Sequence, residues 1–338
     1  MRVDEEWSRN CVTFGLSSGE GLIYSVRDAV TETKVPRSKT PENETITVIK
    51  DTGVTDKRLF VTEGEFANVL KVMAREGNTL SPVVRQAWDG VTLRTLTKNS
   101  PGRATDAHIS IIGHITRDEI RRLLNQTEAA NGFANRFNWL AVRRSKCLPE
   151  GGQVEPAELN GAVCRLHQAI QFARTAGELK RAEPTRELWR SVYPVLSEGK
   201  AGMLGAVTAR AEAQVMRFSA LYALLDKSSI IQPVHHQAAM ALWNYCEQSA
   251  RWIFGGCTGD KNADKILAAL NNVGRAGLTK TEISNLVFNR NLSSHDLHEA
   301  VVKLFKAGLA VFRKESTEGA HSERWFLAGA TNLTNLTN

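Results

Sequence analysis

The stretch Arg58 to Phe66 reads RLFVTEGEF: an apolar start in Leu59, Phe60 and Val61, then two carboxylates, Glu63 and Glu65. A short apolar strand that ends on acids can deliver one of them, through water, to a Mg2+ ion on the phosphates of a bound nucleotide. Spacing alone does not choose between Glu63 and Glu65. Glu20 lies in the Gly-flanked turn Ser17-Ser18-Gly19-Glu20-Gly21, where a side chain can project to a ligand and activate a water. His114 and Thr116 follow the β-branched stretch Ile109 to Gly113, where either can sense a phosphate. Arg136, in NGFANRF, precedes a predicted strand and can reach a neighbouring subunit's site as an arginine finger. Arg210 and Arg217 share a helix face and can reach a nucleotide or a partner.

Each residue also has a plain structural reading. Glu20 fits a solvated loop, and paired glutamates after a strand suit the positive end of a helix dipole. His114 fits a hydrogen-bonded core position, and Arg136, Arg210 and Arg217 fit salt bridges. Asn131 and Asn135 read as turn formers. One part of a nucleotide site is absent: the sequence contains no G-x-x-x-x-G-K-[ST] phosphate loop. GKAGMLG at 199–205 has a Gly-Lys pair, but no Ser or Thr follows the Lys.

The predicted elements around these residues fall into two classes. Residues 11–30 read as a short strand or loop, then a helix. Residues 31–57 read as an exposed, partly disordered loop. A strand at 59–62 leads into a helix at 65–75, with Phe66, Val69, Leu70 and Met73 on one face. Ser81 is a candidate cap for a helix through Trp88, and 92–97 alternates as a strand. Residues 108–113 read as a buried central strand. Thr116 and Glu119 form a capping box for a helix at 117–128. Residues 137–143 return as a strand. Strands alternating with helices argue for an open, mostly parallel α/β sheet over residues 1–150.

After Leu148-Pro149-Glu150-Gly151-Gly152 the pattern turns helical, at 155–176, 183–199, 203–226 and 233–254, which predicts an all-α bundle over 151–258. His235 and His236 read as helix surface. Residues 260–328 read helix-helix-helix-hairpin, the pattern of a winged helix-turn-helix whose third helix would read DNA. His295 and His298 lie on that helix, and Lys303, Lys306, Arg313, Lys314 and Arg324 add positive charge on the helix and the wing. Asn-Leu-Thr repeats fill a tail at 329–338, which reads as disordered.

The chain has 338 residues, 42% hydrophobic and 23% charged, with a formal net charge of +7. That size predicts two or three domains, and the charge favours a polyanionic partner such as DNA. Five scattered cysteines without a C-x-x-C pair argue against a disulfide framework or zinc site and fit a reducing cytoplasm. No apolar run reaches the ~18 residues of a membrane helix, so no membrane partner is expected.

NCVTFGLSSGEGLIYSVRD, RLFVTEGEFANVLKVMAREGNTLSPVVRQAWDG, HISIIGHIT and NGFANRFNWLAVRRSKCLP resemble successive signatures of the YfjI-like family, and TARAEAQVMRFSALYALLD at 208–226 is similar to its helical segment. The resemblance spans about residues 11–260. The family comprises RecA-like ATPases of phages, plasmids and integrated elements, often fused or adjacent to primase-polymerase domains. The resemblance implies a partial RecA-like P-loop ATPase core, then the helical bundle and winged helix. It implies ATP and Mg2+ as cofactors, with Glu63 or Glu65 on the metal, Glu20 as base, His114 as sensor and Arg136 as finger. It also implies a hexameric homo-oligomer and DNA, with a primase or an N-terminal ATPase polypeptide as partner. In such proteins the phosphate loop lies upstream of SSGEG by more than the 19 residues before Glu20 here. The chain then looks like the C-terminal part of a larger ATPase or a shortened relative. The competing expectation is a non-enzymatic DNA-binding or scaffold protein with a vestigial ATPase domain.

Overall fold

The computed structural model describes residues 3–34, 46–96, 101–200, 202–315 and 322–328. The tail at 329–338 lies outside them. The fold is mixed α/β and divides into two compact units, Met1–Leu123 and Leu124–Asn338. Residues 124–150 thus group with the helices rather than with the sheet.

The first unit runs α1 (Glu5–Asn10), β1 (Val12–Thr13), α2 (Gly19–Tyr24), β2 (Val30–Lys34), β3 (Ile46–Asp51), β4 (Arg58–Glu63), α3 (Phe66–Met73), α4 (Leu80–Asp89), β5 (Leu93–Arg94), β6 (Arg103–Ala104), β7 (His108–Gly113) and α5 (Arg117–Leu123). Its principal sheet is parallel, in the order β1-β4-β7. Val12 pairs with Phe60, and β7 pairs with β4 from His108↔Arg58 to Gly113↔Glu63. Strand β4 is central and buries Leu59 and Val61. Trp7 of α1 stacks on Phe60 at 6.1 Å.

The expectation that 108–113 is the central strand is corrected. β7 pairs only with β4 among the described residues, and Ile112 is 51% exposed. Its β-branched run is that of a strand that would be covered on both edges, while the fold leaves one open.

The predicted loop 31–57 contains a ladder instead. β2 and β3 pair antiparallel because Thr31, Thr33, Thr47 and Ile49 supply β-branched residues along both. Asp51 fixes its base, accepting Arg27 Nε at 2.6 Å and the Gly53 amide at 2.8 Å. Residues 35–45 of that predicted loop lie outside the described residues. The strand at 92–97 shrinks to Leu93–Arg94, paired with Arg103–Ala104. Helix α4 begins at Leu80, so Ser81 is not its cap; Asn78 Oδ1 instead accepts the Leu80 amide at 2.9 Å.

Asp28 ties these pieces together. Its Oδ1 accepts from Lys57 Nζ at 2.9 Å and from the Thr105 amide and hydroxyl at 3.0 Å each. Burial acts to raise its carboxyl, but these donors outweigh it and hold the group below the usual carboxylate range.

The second unit begins with α6 (Gln126–Ala130), α7 (Pro156–Ala173), β8 (Lys180–Arg181), α8 (Glu183–Ser197), α9 (Gly202–Thr208), α10 (Ala211–Leu225), β9 (Ile230–Ile231) and α11 (Pro233–Phe254). The helix predicted over 117–128 is broken: Leu124 is buried, and Asn125 caps α6 by accepting the Glu128 amide at 2.8 Å. The predicted strand at 137–143 is absent. Its aromatics pack on helices instead, in a chain Phe133–Phe137–Trp139–Phe254 with centroid separations of 5.0, 6.1 and 5.4 Å. The helix predicted over 203–226 is interrupted at 209–210. The helical region also holds one short parallel pair, β8 with β9. His235 and His236, expected on the surface, are 5% and 0% exposed. Their ring nitrogens meet Asp226 at 3.1 Å and Ser219 at 2.9 Å, which lets two polar rings enter the helical core.

The unit ends with α12 (Lys261–Val273), β10 (Leu278–Thr279), α13 (Lys280–Phe288), α14 (Ser294–Lys306), β11 (Ala310–Glu315) and β12 (Ser322–Leu327). The strands form an antiparallel sheet in the order β10-β12-β11. Ile266, Leu270, Ile283, Val301 and Leu304 are fully buried in its core, beside Trp325. A capping box opens α13: Thr279 Oγ1 accepts the Glu282 amide at 3.2 Å, and Glu282 Oε2 accepts the Thr279 amide at 2.7 Å. Ser293 caps α14. Among the described residues no helix is long and apolar enough to cross a membrane.

Candidate nucleotide and nucleic-acid sites

In the first unit, the turns after β1, β4 and β7 all emerge at the C-terminal end of the parallel sheet, where open α/β sheets bind ligands. Glu63 ends β4. Its Oε1 accepts the Gly15 and Leu16 amides at 2.6 Å each, which draws the turn leading to Glu20 over the strand end. Gly15 sits at φ 89°. The same turn is tied down by Asn78, which donates to the Ser17 carbonyl at 3.0 Å. Glu20 is exposed in the first turn of α2, capped by Ser18. Gly19 packs so closely on α4 that an added Cβ would lie 2.6 Å from Thr79 O and Val83 Cγ2.

His114 follows β7. Its amide donates to the Glu63 carbonyl and its carbonyl accepts from the Phe66 amide, each at 2.8 Å, while its ring is on an exposed residue. Glu65 precedes α3 and accepts from Asn68 Nδ2 at 3.1 Å. The predicted box is present at long range, with Thr116 Oγ1 accepting the Glu119 amide at 3.3 Å and Glu119 Oε2 the Thr116 amide at 3.4 Å; the Thr116 hydroxyl also donates to Glu119 at 2.8 Å, and the hydroxyl and amide hold the Glu119 carboxyl below its usual range. The sheet end thus gathers Glu63, Glu65, His114 and the turn carrying Glu20. Glu63 is partly committed to the loop, with Oε1 bound to two backbone amides. Among the described residues no three His, Cys, Asp or Glu side chains converge as a metal cage. A nucleotide-bound Mg2+ does not need one, because it keeps waters and phosphate oxygens and takes one or two carboxylates.

Arg136 and Arg210 belong to the second unit. Arg136 folds back on its own turn, donating to the Gly132 carbonyl at 2.7 Å. Gly132 has φ 87°, and a Cβ there would lie 2.8 Å from the guanidinium. Gln214 was not singled out by the sequence, yet it is 3% exposed and holds this turn. It accepts from Asn138 at 3.3 Å and makes long bonds to the Asn135 and Arg136 carbonyls at 3.5 and 3.4 Å. The available signal was a lone amide inside the apolar stripe of α10. Lys200 of the Gly-Lys pair is engaged by Glu247 at 2.6 Å, and Gly205 backs directly onto the Lys200 carbonyl.

The expected basic surface of α14 and the hairpin is partly consumed by structure. Lys303 pairs with Asp260 at 2.6 Å, and Arg324 pairs with Glu282 at 3.0 Å and Glu315 at 2.9 Å. His295 and His298 are exposed, but Asp296 and Glu299 are exposed on the same helix. Lys306, Arg313 and Lys314 are exposed and have no ion pair among the described residues.

No protein-family model matches the sequence, and no curated protein matches it.

Proposed function

We propose that the chain carries a partial RecA-like ATPase core of a mobile-element replication protein, joined to a DNA-binding winged helix, with the phosphate loop supplied by residues outside it. The observation that carries this reading is the grouping of Glu63, Glu65, His114 and the Glu20 turn at the end of a parallel sheet whose edge strand β7 has no second partner among the described residues. The strands add in one direction, β1 then β4 then β7. A strand that preceded β1 and paired with β7 would create a reversal of strand order, beside which open α/β sheets bind nucleotides. Its loop would emerge next to His114. There Glu63 through Oε2, or Glu65, would hold a water of Mg2+, Glu20 would orient the attacking water, and His114 would read the terminal phosphate of ATP. Arg136 would have to leave Gly132 to serve a neighbour in a hexamer. The order helix-strand-helix-helix-strand-strand, with sheet order β10-β12-β11, supports the winged helix.

A second reading, a non-enzymatic DNA-binding scaffold, is favoured by the structural use of Glu63 and Arg136. Mg·ATP hydrolysis, with and without DNA, separates the two when measured on this chain and on the product of the uninterrupted reading frame that contains it. The ATPase reading expects turnover by the longer product, reduced about 100-fold or more by Glu20→Gln. DNA binding without turnover in both would establish the scaffold.

A further inference from the structure

We propose that the end of α14 and strand β11 form a stacking platform for single-stranded nucleic acid. The inference rests on the nucleic-acid-binding reading of this part and names which strand form it takes. Phe305 is 50% exposed and Phe312 is 36% exposed, with ring centroids 5.7 Å apart. Phe312 is braced from behind by the buried Trp325 at 5.1 Å, so the pair is held as a step rather than left to swing. Lys306 follows Phe305, and Lys314 lies two residues beyond Phe312 on the same face of β11, while Arg313 lies on the other face with its guanidinium 5.6 Å from the Phe326 ring centroid. Lys306 and Lys314 have no ion pair among the described residues, whereas Asp260, Glu315 and Glu323 of the same region are engaged by Lys303, Arg324 and Lys280.

Exposed rings flanked by free cations match a strand whose bases are unstacked and whose phosphates lie alongside. A duplex keeps its base faces stacked on one another and offers the rings nothing. The first turns of α14 expose Asp296 and Glu299 beside His295 and His298, a face poorly suited to lie in a major groove.

The test is fluorescence anisotropy on the full chain with a dye-labelled 15-nucleotide oligo-dT and with a duplex of the same length, over a salt series. Tighter binding of the single strand is expected. Phe305→Ala should weaken it about 5- to 150-fold, and Phe305→Trp should restore it. Lys306→Gln and Lys314→Gln should each lower the slope of log K against log salt by about 0.7. Phe305 is the variant of choice because Phe312 packs on Trp325, where truncation would disturb the core. Equal or tighter duplex binding, or an unchanged affinity in Phe305→Ala, overturns the platform. If duplex binding is instead lost in His295→Ala and His298→Ala, the platform falls while the winged-helix reading stands. No binding of either form at low salt removes both.

Discussion

Glu63 illustrates how one carboxylate can serve structure and ligand at once. With two backbone amides at 2.6 Å on one oxygen, its charge organises the turn before Glu20. Removing it leaves the exposed Gly15 amide to water and the partly buried Leu16 amide without its charged acceptor. Glu63→Ala is therefore expected to cost about 1–3 kcal/mol, and Glu63→Gln, which keeps an acceptor, about 1 kcal/mol or less. Urea titrations of both variants check this; equal stability to the parent would mean that the carboxylate is not holding the turn. His236 supplies a pH test. Ser219 donates to the Val215 carbonyl at 2.8 Å, so its oxygen accepts from His236 Nδ1. Burial first, and then the charge of Arg181, push its pKa below the usual value. An unfolded histidine titrates near ~6.5, so the stability carried by the neutral ring is full above that pH and is lost as pH falls toward the folded value. Melting between pH 8 and pH 5 should show a slope that is shallower in His236→Gln, by at most about 1.4 kcal/mol per pH unit. Parallel slopes would exclude the ring.

Elements explain why some of this was legible in the sequence and some was not. Local signals were accurate: the Thr116–Glu119 box and the apolar stripe of α3 are decided by residues three or four apart. Non-local decisions were missed. RLFVTE and HISIIG both read as buried strands, but which is central depends on partners far away in the chain. NWLAV reads as a strand by propensity, yet its aromatics find a helix first. The grouping of Glu63 with the Glu20 turn depends on amides 47 and 48 residues away, which no spacing reveals. The open edge of β7 is testable directly. The amides of His108 and His114 both point to β4, at 2.9 and 2.8 Å from their acceptors. By the two-residue period of a strand, Ile109, Ile111 and Gly113 present theirs to the open edge. Hydrogen exchange resolved to single amides should find these three fast and Ser110 and Ile112 slow. Uniform protection would mean that a partner already covers β7. Close approach gives a further test: Gly19→Ala, which presses α2 against α4, should cost about 1–3 kcal/mol.

For the whole molecule the decisive quantity is the coupling of nucleotide to folding. A bound ligand stabilises the native state by RT ln(1 + [L]/Kd), about 2.7 kcal/mol at a hundredfold excess over Kd, which moves a melting point by several degrees. The described residues offer carboxylates, a histidine and a threonine at the sheet end, but no lysine among Gly-rich amides to neutralise the β- and γ-phosphates. Carboxylates without that cradle repel the triphosphate they would otherwise help to cleave. Millimolar Mg·ATP is therefore expected to leave the melting of this chain unchanged, while the single-stranded oligonucleotide raises it in low salt. A shift of several degrees with Mg·ATP, abolished by Glu63→Ala, would place a complete phosphate site within these residues and remove the need for a strand on β7. The same shift retained in Glu63→Ala would place nucleotide binding away from the sheet end. The catalytic roles of Glu63, Glu20 and His114 would then fall together.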